Sequence, residues 1–253
     1  MAIVTINDEY LTAIGNAIRS NLGTTTSYTT SQMPDGIAKM TIKINNLELM
    51  RMIYAEPEAL ITLDDDNIIV IGHSVFSKFP NLTTVNLLNT TTIGTNAFRN
   101  CPSLTTVNLP SATTIGSSAF YQCENLTTVN LPNVTTIGGS AFYECDNLTT
   151  VDLPSVTTIS GSSIFCWCEN LTIRLPALTQ LHYSSFNYLE NSHIILPGNI
   201  VPEVAASSRL NISSSTYVYV PRSLYASYQS DEMWSTVTSQ LRVIEDWPSV
   251  VGG

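Results

Sequence analysis

Cysteine thiols are the side chains of this 253-residue chain most able to do chemistry, and four of the five recur at nearly equal steps. Cys101, Cys123 and Cys145 lie 22 residues apart, and Cys168 follows at 23. Such a series could bind a metal or form stacked disulfides, but metal binding needs deprotonated sulfurs that converge on one point. Residues at one repeat position run in a line instead. We therefore predict a column of small buried side chains without metal or cofactor, and a surface-facing Cys166, which breaks the step.

The chain contains two other groups of side chains that can bind metals, an acidic run and three histidines. The run Asp64-Asp65-Asp66-Asn67 suggests calcium, but it lacks the alternating acidic ligands, central glycine and distant glutamate of an EF-hand loop. A solvated turn is the better interpretation. His73, His182 and His193 fall in separate parts of the chain and are predicted to be surface or hydrogen-bonded histidines rather than ligands.

The composition excludes several functional classes. No GxSxG, HExxH or phosphate-binding loop occurs, and no paired catalytic carboxylates stand out, so an enzyme is not expected. The formal net charge of −10 disfavours binding to nucleic-acid phosphates, and no run approaches 18 apolar residues, so membrane insertion is not expected. The opening MAIVTINDEYL lacks the basic and apolar regions of a secretory signal. Any export is therefore expected to use another route.

An internal repeat dominates the chain. Ile71, Ile93, Ile115, Ile137 and Ile159 are each 22 residues apart, and phenylalanines and leucines keep the same step, with one extra residue in the SGSS before Phe165. Periods in the twenties with Leu-x-x-Val-x-Leu are typical of solenoids, in which no coil buries its apolar side chains alone. Stacked coils, spaced about 4.8 Å apart, share one continuous core. The sequence thus predicts about five coils of 21 to 23 residues.

Each coil is predicted to contain two extended segments. In LTTVNL, Leu82, Val85 and Leu87 should point inward while Thr84 and Asn86 point outward, because strand side chains alternate. In the second segment, TTIG, the isoleucine is buried. The Ala-Phe that follows packs a ring into the core, and cysteine closes the coil.

The pattern LxxVxLPxxTxIGxxAFxxC, over about residues 68 to 176, resembles the BspA-like class of leucine-rich repeats. This resemblance implies a gently curved, mainly β solenoid used for adhesion and recognition, without catalytic residues. Leu88 departs from the pattern by replacing the proline, and residues 182–198 keep only Phe186 and Leu196-Pro197.

The flanking segments differ from the repeat. Residues 216–246 predict a strand at TYVYVP, a helix over residues 223–240 and a strand at LRVIE, which together would cap the open end of the solenoid. Apolar positions in residues 1–40 predict two short helices. The predicted units are therefore a helical anchoring module (1–40), a linker and starter cap (41–67), the solenoid (68–198), and a C-terminal cap and tail (199–253).

The outward rows are the candidate binding face. Uncharged hydroxyl and amide rows suit a glycan or protein partner, and they equally suit solubility with cross-strand threonine pairing. Aromatic residues after the buried phenylalanines are predicted to cluster along one edge, where they favour contact. The candidate residues are Thr84, Asn86, Thr106, Asn108, Thr128, Asn130, Thr150, Asp152, Tyr121, Tyr143 and Trp167.

The N-terminal segment favours a biological setting. LTAIGNAIRSNLGTTTSYTTSQMPDGIAKM is similar to a short module near the start of many phage and prophage virion proteins. This resemblance implies a non-enzymatic tail or head fibre or accessory component, assembled in the host cytoplasm and turned toward a host-surface glycan or protein. Residues 1–40 would bind other virion proteins or a second copy of the chain, giving a homo-oligomer. The alternative is a bacterial cell-surface adhesin of the BspA-like class.

Overall fold

The protein is described here by a computed structural model covering residues 60–205 and 210–246. The predicted helices of residues 1–40, and most of the segment 41–67, lie outside these residues. In the part described, the chain forms a parallel β-solenoid of about eight turns, as the sequence predicts, although the number of turns exceeds the five regular coils.

Short strands make up the turns, and we number them in chain order. They are β1 (Thr62–Asp64), β2 (Val70–Ile71), β3 (Thr84–Asn86), β4 (Thr92–Ile93), β5 (Thr106–Asn108), β6 (Thr114–Ile115), β7 (Thr128–Asn130), β8 (Thr136–Ile137), β9 (Thr150–Asp152), β10 (Thr158–Ile159), β11 (Thr172–Arg174), β12 (Gln180–His182), β13 (His193–Ile195), β14 (Glu203–Ala205), β15 (Tyr217–Val220) and β16 (Leu241–Val243).

These strands form three parallel sheets. The long sheet has nine strands in the order β1-β3-β5-β7-β9-β11-β13-β15-β16. The second extended segments form a four-stranded sheet, β2-β4-β6-β8, and a three-stranded sheet, β10-β12-β14. Equivalent residues of successive coils pair directly, as in Thr84 with Thr106 and Ile93 with Ile115. The hydrophobic repeat therefore sets the register, because a slip of one residue would turn each buried side chain to the solvent.

The core runs the length of the solenoid between the sheets. Leu82, Val85 and Leu87 are completely buried, which confirms their predicted inward direction. The phenylalanine rings form a stack, with centroids 5.3 to 5.5 Å apart from Phe76 through Phe98, Phe120 and Phe142 to Phe165. Each ring thus fills the space between its two neighbours, so the repeats are held together chiefly by contacts between coils.

The C-terminal cap is a strand–helix–strand unit with a broken helical part. A 3-10 turn at Arg222–Leu224 leads into the α-helix α1 (Tyr225–Ser230), and a second 3-10 segment spans Trp234–Gln240. The Asp231 carboxylate accepts hydrogen bonds from the backbone N–H groups of Met233 (2.9 Å) and Trp234 (3.1 Å). The single helix predicted over residues 223–240 is therefore wrong, because Asp231 ends one segment in an extended conformation and caps the next.

Two aromatic side chains anchor this cap to the solenoid. Tyr228 and Trp234 are fully buried and meet edge to face at 5.0 Å, and the Trp234 indole donates a hydrogen bond to the Pro202 carbonyl at 2.8 Å. β16 pairs with β15 and extends the long sheet by one strand, but it ends at Val243, where the chain enters a 3-10 turn, Ile244–Asp246, instead of continuing as a strand. None of the helical segments in the described ranges has the length and apolar character of a membrane-spanning helix.

Candidate functional site: the outward rows and the aromatic ribbon

The predicted threonine row lies on the long sheet. Thr84, Thr106, Thr128 and Thr150 occupy paired positions in β3, β5, β7 and β9, and Thr62 and Thr172 continue the row in both directions. Their side chains are partly or fully exposed, in agreement with an outward direction. The threonines one position earlier behave differently. Thr105 and Thr127 donate their hydroxyls to carbonyl groups of the preceding coil at 3.0 Å and so help to hold the stack together.

The neighbouring amide row is hydrogen-bonded along its length. The Nδ2 groups of Asn108 and Asn130 each donate to the Oδ1 of the preceding asparagine, Asn86 and Asn108, at 2.7 Å, and the Asn86 amide donates to Asp64 at 3.2 Å. Asn86 and Asn108 therefore use one donor and one acceptor site on their neighbours, Asn130 uses one donor, and the remaining sites are left for solvent or a partner. The row stabilises the stacking of coils, and binding by this face stays a prediction.

Opposite charges finish the amide row at its C-terminal end. The Arg174 guanidinium lies 3.7 Å from the Asp152 carboxylate, with both side chains about half exposed. An exposed pair of this kind contributes little to stability, up to about 1 kcal/mol. The two residues follow three uncharged asparagines in this row, Asn86, Asn108 and Asn130.

A second set of outward side chains follows the buried phenylalanines. The rings of Tyr121 and Tyr143 stack at a centroid distance of 4.6 Å with an angle of 2°, and the Arg99 guanidinium lies 4.1 Å above the Tyr121 ring. Trp167 and Tyr188 form another stacked pair at 5.0 Å. We call Arg99, Tyr121, Tyr143, Trp167 and Tyr188 the aromatic ribbon. Its residues were predicted only in part, since neither Arg99 nor Tyr188 was singled out from the sequence.

Trp167 does not occupy the repeat position of the two tyrosines. Tyr121 and Tyr143 directly follow a buried phenylalanine, whereas Trp167 and Tyr188 come two residues after Phe165 and Phe186. The equivalent residues in earlier coils are Lys78, Asn100, Gln122 and Glu144. These four residues, with Trp167 and Tyr188, all have left-handed backbones, with φ between 54° and 64°. The position therefore has a fixed backbone geometry, whichever side chain it carries.

Polar residues at this left-handed position form a ladder of their own. The Asn100 amide donates to the Gln122 side-chain oxygen at 2.8 Å, and the Gln122 amide donates to Glu144 Oε2 at 2.6 Å. The ladder ends at Glu144, because Trp167 occupies the left-handed position in the next coil. The surface thus changes along the solenoid from cationic and amide groups to carboxylates and exposed rings.

The four periodic cysteines form the buried column that the sequence predicts. Each thiol sulfur lies 3.1 to 3.2 Å from a phenylalanine carbonyl of the preceding coil, as Cys123 does from Phe98. Cys166, predicted to face the surface, is only 3% exposed, which corrects that prediction. It takes the repeat position of Tyr143, and the Tyr143 side chain contacts its thiol. In residues 60–205 and 210–246, no three histidine, cysteine or acidic side chains are arranged to hold a metal ion.

We expect a thiol-reactive dye to leave all five cysteines of the native protein unlabelled and to label all five after unfolding in urea. Burial raises the pKa of the Cys123 and Cys145 thiols, that of Cys166 to about 11 and that of Cys168 to about 12, so thiolate is scarce at these four residues. A hydrogen bond with Cys123 lowers the pKa of the Cys101 thiol, so Cys101 is protected by its burial alone. Mass spectrometry of dye adducts measures both states. Rapid native labelling of Cys123 would contradict the buried column.

The acidic run and the histidines are separate features. Asp65 is buried, unlike a residue of a fully solvated turn, and its Oδ1 accepts hydrogen bonds from the Asn67 backbone and side chain at 2.9 and 2.8 Å. His73 is exposed, as predicted, and His182 lies 2.8 Å from the Ser184 hydroxyl. His193 lies in β13, and its ring packs edge to face against the Tyr219 ring at a centroid distance of 5.6 Å.

Solved structures of bacterial leucine-rich repeat proteins resemble this chain in part. One is a leucine-rich cell surface protein from Faecalibacterium prausnitzii, with 30% identity over 60% of this chain and a TM-score of 0.49. A leucine-rich repeat protein from Bacteroides ovatus has 18% identity over 62% of this chain and 55% of its own length, with a TM-score of 0.37. A third, from Eubacterium ventriosum, has 16% identity over 70% of this chain and 68% of its own length, with a TM-score of 0.30. This chain spans 42% of the length of the F. prausnitzii protein.

A comparison with curated proteins gave no match. The family comparison gave a clear one, since six copies of the BspA type leucine rich repeat region match over residues 59–172 and 113–230. The matched residues include the coils with the stacked phenylalanines, the cysteine column and the aromatic ribbon. Both the repeat pattern and the solenoid geometry agree with this assignment, and the chain belongs to the BspA-type leucine-rich repeat family.

Proposed function

We propose that this protein is a non-enzymatic recognition protein displayed on a bacterial cell surface, where its solenoid contacts a partner outside the cell. The observation that carries the proposal is the exposed, stacked Trp167–Tyr188 pair, with side chains 46% and 54% exposed, on a family scaffold associated with adhesion. Large exposed aromatic side chains are typical of contact surfaces. The placement of the nucleophilic and basic side chains also favours a non-enzymatic role. The thiols are buried, and His73 lies more than 100 residues before His182 and His193 in the sequence.

Protease treatment of intact cells tests the location. We expect the protein on intact cells that carry this gene to be cleaved by added protease under conditions that leave a cytoplasmic marker whole. Protein that is degraded only after cell lysis would contradict display on the surface. Binding of the purified chain to immobilised extracellular glycoproteins, before and after enzymatic removal of their glycans, would then show whether sugar or polypeptide is recognised.

A virion component is the second candidate function, and residues 11–40 alone favour it through their similarity to a module of phage virion proteins. These residues lie outside both the described ranges and the residues matched by the family. Mass spectrometry of purified phage particles from an induced host distinguishes this candidate from the first. Peptides of the chain in purified particles would support it, and peptides in the cell-envelope fraction alone would contradict it.

Deletion of residues 1–40 should leave a soluble, β-rich solenoid, because the coils described here bury their apolar side chains against one another. If residues 1–40 are the anchoring module, the shortened chain should lose self-association and its incorporation into particles. Light scattering of the two proteins measures the oligomeric state. An unchanged oligomer that still assembles onto particles would assign attachment to the repeat surface instead.

A further inference from the structure

The aromatic ribbon differs in charge at its two ends. At its N-terminal end the Arg99 guanidinium covers the face of Tyr121, and Lys78 lies at the left-handed position of the preceding coil. At its C-terminal end Trp167 and Tyr188 stack on each other, with no arginine or lysine placed over either ring among the described residues. An arginine side chain therefore covers the ring face of Tyr121 at the N-terminal end, whereas the Trp167–Tyr188 pair at the C-terminal end has no cation from the described part of the chain over its rings.

Carboxylates flank the open end. Glu124, Asp146 and Glu169 occupy one repeat position in successive coils, two residues after the left-handed position, and all three are exposed. Within the described ranges they form no ion pair. Partial burial raises the pKa of Asp146, and the charges of Glu124, Glu144 and Glu169 raise it further, so these carboxylates are close enough to repel one another. A bound cation would relieve this repulsion.

The backbone at Trp167 and Tyr188 is a third observation. Both residues have left-handed φ angles, 63° and 54°, a conformation that asparagine and glycine tolerate and that bulky residues rarely adopt. Asn100 fills the same position in an earlier coil with a better-suited side chain. Lys78, Gln122 and Glu144 share this conformation, so the left-handed backbone belongs to the repeat and not to the two rings. The folding of the coil does not require rings here, so their presence points to a contact outside the chain.

We propose that the Trp167–Tyr188 pair, with the neighbouring carboxylates, binds an arginine-bearing segment of a protein partner. An arginine side chain would stack on the exposed ring surface as Arg99 does on Tyr121, while its charge pairs with Glu169 or Asp146. Arginine suits this site better than lysine because its planar guanidinium stacks on rings and hydrogen-bonds to a carboxylate at the same time. This inference rests on the proposed function and names the class of its partner.

Calorimetric titration of the full chain with a capped peptide of alternating arginine and glycine tests the proposal. We expect this peptide to bind more tightly than the matching lysine peptide, and a glutamate peptide to give no binding. Trp167→Asn and Tyr188→Asn should each weaken binding about tenfold or more. Because asparagine suits the left-handed backbone, the melting temperature of both variants should stay the same or rise.

Charge-matched variants provide the control. Glu169→Gln should weaken binding, whereas Glu232→Gln, an equal change of charge on an exposed side chain of the C-terminal cap, should leave it unaltered. No binding of the arginine peptide, equal effects of the two glutamine variants, or no effect of Trp167→Asn would each overturn the proposal. Ring-dependent binding of a neutral oligosaccharide without binding of the arginine peptide would overturn it as well, in favour of a glycan partner. Display of the protein on intact cells is measured separately, so failure of this site would leave the proposed location standing.

Discussion

Phe120→Ala is expected to lower the free energy of unfolding by about 3–5 kcal/mol, because it removes a ring from the middle of the stacked core. The Phe120 ring is fully buried and lies 5.4 Å from the Phe98 ring and 5.3 Å from the Phe142 ring. Neither neighbour can move into the space without leaving its own coil, so the cavity should persist. Urea unfolding followed by circular dichroism measures the loss.

Thr106→Ala is the matched control for this variant. Thr106 lies on the outer face of the long sheet in the same coil, and its loss should cost less than about 1 kcal/mol. Equal urea midpoints for the two variants would show that the inner and outer faces have been assigned the wrong way round.

Gly138→Ala should destabilise the solenoid by about 3 kcal/mol, at the upper end of the usual cost of overpacking. A Cβ atom at this position would lie 2.3 Å from the Ser117 backbone nitrogen and 2.7 Å from the Gly116 carbonyl carbon. Those atoms belong to the preceding coil, so the two coils would have to separate. An added Cβ at Gly94 or Gly116 would also lie within 3.0 Å of the preceding coil, at 2.7 and 2.6 Å. A column of glycines thus sets how closely the turns approach.

Gly139→Ala is the control next to it in sequence. Its added Cβ would meet the Ser162 carbonyl oxygen at 3.3 Å, which a shift of a few tenths of an ångström accommodates. Thermal unfolding of both variants should therefore show a large decrease in melting temperature for Gly138→Ala and a small change for Gly139→Ala. Similar decreases would indicate that loss of chain flexibility, and not contact between coils, limits both positions.

The Phe120→Ala and Gly138→Ala predictions both test contacts between coils, and the proposed binding site is also formed by residues from neighbouring coils. Core and surface are built from columns of equivalent residues, one from each turn, because the coils pair in parallel at equal steps. A single substitution in a column changes one step of a ladder. A surface patch that extends along the solenoid therefore requires suitable residues in successive coils, as with Trp167 in one coil and Tyr188 in the next.

The sequence by itself determined the solenoid, its period and its inward side chains. Ile93, Phe98 and Cys101 recur at one step, and no arrangement other than stacked coils buries all of these series at once. The outward direction of Thr84 and Asn86 followed from the alternation of side chains along a strand. The cysteine column followed as well, since residues at one repeat position lie in a line.

Only the tertiary structure decided which outward side chains meet. Tyr143 directly follows a buried phenylalanine, whereas Trp167 lies one residue further on, at the left-handed position, where its ring stacks on Tyr188. Cys166 takes the buried place beside Tyr143. The break in the cap helix likewise depends on tertiary structure, because the Asp231 carboxylate accepts hydrogen bonds from the backbone N–H groups of Met233 and Trp234. Burial depends on repeat position, which a periodic sequence displays, whereas contacts between exposed side chains depend on backbone angles and neighbouring coils, which a periodic sequence leaves open.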